Sequence, residues 1–111
     1  MAPEAIPTLL EQIDELLAEP AQAEEPATLA RLERTLTDGY AYALALEAER
    51  WRLERRMTEL AGELHDGNRE LKAKELELVS DRLSSNASLL SALRGTLTQL
   101  RARATAVRSR N

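Results

Sequence analysis

Apolar residues recur along this chain at alternating steps of three and four over two long stretches. From Leu29 the series runs through Leu32, Leu36, Gly39, Ala43, Leu46, Arg50, Leu53, Met57, Leu60 and Leu64. From Leu76 it runs through Val79, Leu83, Asn86, Leu90, Leu93, Leu97, Leu100, Ala104 and Val107. That rhythm is the a/d seam of a left-handed coiled coil. Pro26 suits the first turn of a helix and no later proline interrupts it, so the second helix is predicted from about 26 to 66. His65, Asp66, Gly67 and Asn68 then supply a turn at about 66–68, with Gly67 suited to a left-handed C-terminal position and Asn68 to capping the next helix. Upstream, Ile6, Leu9, Leu10, Ile13, Leu16 and Leu17 form an apolar stripe over about 8–18, with Thr8 and Glu11 spaced as a capping box and Pro20 as a stop. The predicted fold is all-α. A long antiparallel coiled-coil helical hairpin occupies 26–111, preceded over 1–25 by a short amphipathic helix and a polar linker.

A short turn makes the two seams face each other antiparallel, and a register centred near Asn68 pairs residues whose numbers add to 136. Leu53 then meets Leu83, Leu46 meets Leu90 and Gly39 meets Leu97. The two polar exceptions fall together: Arg50 is predicted to share one layer with Asn86, where guanidinium and amide can hydrogen-bond and fix register. The flanks agree with this alignment only in part. Glu33 can reach Arg101 and Tyr40 can reach Arg94, but Arg56 falls near Arg82 and Glu63 near Glu75.

Composition narrows the function classes. In 111 residues there is one Trp, two Tyr and no Phe, so packing must rest on Leu and Ala, and 31% charged with 43% hydrophobic residues fits long helices rather than disorder. There is no Cys, which removes disulfide and thiolate chemistry. No stretch approaches a transmembrane span, and the beginning MAPEAIPTLL lacks the basic and apolar parts of a secretory signal, so cytoplasmic residence without membrane association is expected. The preference for Arg over Lys and the abundance of Ala suggest a GC-rich bacterial source. A helical hairpin of this size resembles in shape the small secreted WXG-type proteins. The residues depart from that family, because the turn at His65, Asp66 and Gly67 has no Trp and Trp51 lies well inside a helix.

No constellation of catalytic groups is legible. The single His65 has Gly62 three residues before it, which rules out the paired Glu-x-x-His of a di-metal bundle, and no phosphate loop or nucleophile set occurs. We therefore expect no enzyme, no cofactor, no metal and no small-molecule substrate. The net charge of −4 disfavours nucleic acid, although Arg101, Arg103, Arg108 and Arg110 leave a nucleic-acid role as the alternative. Tyr40, Leu44 and Trp51 carry the most information, since they lie off the seam at helical spacing on one arm. A thin rod with a second apolar stripe is expected to associate through it. The candidate surface is Tyr40, Leu44 and Trp51 with Leu9, Ile13 and Leu16 of the first helix, and the candidate partner is the chain's own first helix, a second copy in a homodimer, or another protein. The expected role is that of a helical interaction protein such as a scaffold, adaptor or small regulatory subunit.

Overall fold

In the computed structural model the described residues are 5–18, 26–65 and 67–110. They form three helices, α1 (Ala5–Ala18), α2 (Pro26–Glu63) and α3 (Arg69–Arg110). The long pair packs antiparallel into a rod measuring 65 × 18 × 18 Å, the hairpin that the seam predicts. The linker at 19–25 and the turn residue Asp66 lie outside the described residues.

Helix α1 begins at Ala5, so Thr8 lies inside it and does not cap it. Pro7 is compatible with this earlier start. The first four N–H groups of a helix have no partner within it, so a proline there forfeits nothing. The turn also differs from the expectation at one residue. Asn68, with φ of 66°, takes the left-handed conformation assigned above to Gly67, and no described glycine has positive φ. Asparagine tolerates that region because its short polar side chain bonds locally. The Asn68 carbonyl accepts the first bond of α3, from the Lys72 N–H at 3.1 Å, and the Lys72 ammonium donates to the carbonyl of Glu63 at the same distance, closing the end of α2.

The seam residues Leu32, Leu36, Ala43, Leu46, Leu90, Leu93, Leu97, Leu100, Ala104 and Val107 are buried in one continuous cluster. Gly39 sits in that row because Leu97 fills the space a side chain would need; a Cβ built there would overlap the Leu97 Cδ2. This contact fixes the register at the value read from the sequence. The flanking ion pairs follow a different rule. Glu33 pairs with Arg108 and Glu47 with Arg94, each adding to 141, while Arg56 pairs with Glu75, adding to 131. Residues one step outside the seam lie on opposite edges of the rod, and the offset has opposite sign on the two edges. The expected Glu33 to Arg101 reach and the Arg56 to Arg82 clash are therefore replaced by pairs of opposite charge. Glu75, followed by Glu59, holds the Arg56 guanidinium above its ordinary pKa.

These pairs are solvated and each is expected to contribute little. Changing Glu33 to Gln should lower stability by no more than about 1 kcal/mol in urea denaturation, and a larger loss would show that the open end depends on the Arg108 contact.

Candidate functional site

Helix α1 closes the open end of the hairpin. Its Leu9, Ile13 and Leu16 are buried, Ile13 completely, in the same cluster as Leu32, Leu36, Leu100 and Val107. It runs antiparallel to α2. Thr8 and Leu9 lie beside Asp38 and Tyr42, whereas Glu15 and Leu16 lie beside Arg31 and Arg34. Arg103 on α3 donates from Nη1 to the Leu17 carbonyl at 3.0 Å, supplying the cation that the last turn of α1 lacks in its own sequence. Thr35 and Tyr42, neither of them singled out in the sequence, form part of the receptor for α1 together with Arg103, which the sequence offered as a phosphate contact. Their signal was present as a row at seven-residue spacing beside the seam, where Thr35 and Tyr42 are half-buried.

The other edge of the rod is bare. Leu44 is 67% and Trp51 70% exposed there, with Tyr40 exposed beside them, while Leu71 and Leu78 of α3 are exposed away from this edge. Tyr40 and Leu44 line a groove of about 360 Å³ together with Glu47, Arg94, Thr98 and Arg101. Trp51 follows Leu44 by seven residues and so continues the same row. The structure thus separates two groups that the sequence placed in one surface. Leu9, Ile13 and Leu16 serve the core at one edge, and Tyr40, Leu44 and Trp51 face solvent at the other. The physical reason is what flanks the two clefts: half-buried Thr35 and Tyr42 leave the seam open to an apolar helix face at the α1 edge, whereas the Glu33–Arg108 and Glu47–Arg94 pairs lie across it at the other.

Leu71 and Leu78 do not extend the Tyr40 row. Leu78 lines a groove of about 440 Å³ with Leu46, Glu49, Arg82 and Leu89, on the edge where α1 docks and beyond its N-terminal end.

The shared polar layer is not formed. Asn86 is buried at 3% exposure, and its Nδ2 donates to the Leu46 carbonyl at 3.0 Å, leaving Oδ1 without a partner. Arg50 points outward and donates from Nε to Glu54 at 2.9 Å. Its long stem lets the charge reach water, and a carboxylate four residues on the same helix lies closer at hand than the opposing amide. Asn86 therefore pins the register by grasping backbone, independently of Arg50.

Among the described residues no three His, Cys, Asp or Glu side chains come together to hold a metal ion, and no helix is long and apolar enough to cross a membrane. His65 is exposed at the turn. What the arrangement offers is surface, an apolar row flanked by charges along a straight rod. Comparison with known protein families, with characterised proteins and with solved structures finds no match to this chain.

Proposed function

We propose that this chain is a non-enzymatic helical interaction protein, a small scaffold or adaptor that works by helix-bundle association through Tyr40, Leu44 and Trp51. One observation carries the reading. The seam of the hairpin is filled internally and α1 is docked at the opposite edge, yet a Trp and a Leu two turns apart remain more than two-thirds exposed on a straight helix. Aromatic anchors of this kind are favoured at interfaces, and aligned large apolar groups on a rod draw a further helix. The nucleic-acid alternative has less support from the geometry, because Arg94, Arg103 and Arg108 are engaged within the chain by Glu47, the Leu17 carbonyl and Glu33.

Trp51, the sole tryptophan, reports the outcome directly. At high dilution its emission should be that of a solvated indole, shifting to the blue as the protein associates with itself or with a chain retained from the source cell. Leu44→Asp should abolish both the shift and the retention while leaving helix content unchanged, since Leu44 contributes nothing to the core. Association of that variant as strong as that of the unaltered protein would overturn the reading, and so would a monomer with solvated Trp51 that retains no partner.

A further inference from the structure

The bare edge has a pattern of charge and size that selects its own occupant. On α2 the flanking positions at seven-residue spacing are Glu33, Tyr40, Glu47 and Glu54; on α3 they are Ala87, Arg94, Arg101 and Arg108. One side of the face is acidic and the other basic, and the Glu47–Arg94 and Glu33–Arg108 pairs show that the two rows face each other across the cleft. The outer rows differ in size in the same sense. Leu44 and Trp51 project from α2, while the matching row on α3 is Ser84, Ser91 and Thr98, of which Thr98 lines the groove beside Leu44. With Gly39 against Leu97, equal rise along both helices puts Leu44 close to the level of Ser91 and Trp51 close to that of Ser84.

We infer that the occupant of this face is a second copy of the chain, related by a two-fold axis running along the rod, so that the hairpin turns of both copies lie at the same end. The inference rests on the reading of the Tyr40, Leu44 and Trp51 row as an association surface and identifies what associates. Two two-fold axes can bring this face against itself. An axis across the rod lays α2 on α2 and α3 on α3. Glutamates then face glutamates, arginines face arginines, the large side chains collide and the small ones leave a void. An axis along the rod lays α2 of each copy on α3 of the other and preserves the levels. Glu33 and Glu47 then meet a second row of arginines, and Leu44 and Trp51 seat over Ser91 and Ser84, where small side chains let them approach. Every neighbour in the resulting four-helix bundle is antiparallel and of opposite charge. The area suffices: a face of a rod 65 Å long and 18 Å wide is on the order of 1,000 Å², against the roughly 800 Å² per partner of a standard interface. Helix α1, on the far edge of each copy, stays clear of the contact.

The chain has no cysteine, and Gly67 at the turn has no positive φ and open space where a side chain would go, so Gly67→Cys can carry a nitroxide without strain. Electron–electron dipolar spectroscopy on the labelled full chain should give a turn-to-turn distance of about 20 Å, as expected for helices packed 8–10 Å apart. A second label at Ser109→Cys, at the exposed open end, should give an equally short distance. Adding Leu44→Asp should remove both signals. Distances on the order of 60 Å at both sites, the value for copies running in opposite directions about the middle of the Leu44 to Trp51 row, would overturn the axis. Short distances that survive Leu44→Asp would overturn the face. A monomer without dipolar modulation would overturn the second copy as occupant, and the broader association reading would then stand or fall separately on whether Trp51 is covered by another protein.

Discussion

Changing Asn86 to Asp should cost at least about 3 kcal/mol of stability at pH 7, and most of that loss should disappear in acid. The Nδ2 group donates to the Leu46 carbonyl in a buried layer, so an ionised carboxylate there would be desolvated and would point a lone pair at another oxygen. Burial and the facing carbonyl both raise the folded-state pKa of the new carboxyl above its unfolded value of about 3.9. A group raised in this way favours folding in its neutral form. The variant is thus expected to be most stable below about pH 4, where the protonated oxygen can donate to Leu46 as the amide does, and to lose stability as pH rises through the folded pKa. Urea denaturation at pH 3.5 and pH 7 checks this, with the unaltered protein as the reference for other acid effects. An equal loss at both pH values would show that the site is open to water. Asn86→Leu tests the same layer from the other side. It removes an oxygen that has no partner, and the Leu46 carbonyl keeps its in-helix bond, so a gain of about 1 kcal/mol is expected. Because Arg50 bonds Glu54, it loses nothing in that variant.

The second large effect is expected at Gly39. Gly39→Leu should destabilise the hairpin by about 1–3 kcal/mol through overpacking against Leu97, whose side chain is itself buried. Helix propensity works in the opposite direction, since a glycine inside a helix costs about 1 kcal/mol relative to a good helix former. A measured loss is therefore attributable to packing. Combining it with Leu97→Gly exchanges the large and small partners across one layer, and the double variant should be more stable than the sum of the single effects by at least about 0.5 kcal/mol. Additive losses would mean that the two residues do not share a layer and would sink the register.

The seam, the turn and the antiparallel pairing were legible because each depends on periodicity and turn chemistry, which are local. The Gly39 to Leu97 match was legible for the same reason: once the turn is placed, counting from it gives the layers. Counting gives a layer but not where a long side chain ends. Arg50 differs from its expected place on that account, since its long flexible stem and a nearby Glu54 take its charge out of the layer that Asn86 occupies. Flanking ion pairs are not given by the same count, because their offset from the seam changes sign between the two edges of the rod. The seat of α1 was the least legible part of the fold. Its own apolar face was clear in Leu9, Ile13 and Leu16, but the cleft that receives it is built from half-buried, mixed residues such as Thr35, Tyr42 and Arg103, which carry less hydrophobic signal than the exposed Tyr40, Leu44 and Trp51. Hydrophobicity marked the face left bare more strongly than the face covered.

The left-handed Asn68 also sets the order in which the molecule assembles. Layers beside the turn, such as that of Leu60, bring together segments separated by a short loop, while the layer of Leu36 and Leu100 must close a much longer one. Loop-closure entropy grows with that separation, and chains rich in near contacts fold fastest. The hairpin should therefore zip from Asn68 outward, each layer shortening the loop that the next has to close. The seat of α1 comes into being only when the last layers meet, since it draws on both arms at their far ends. Of the three helices, α1 leaves a ribosome before α2 and α3 and is in this way the last to find its place, held in waiting by the far ends of the two arms that follow it.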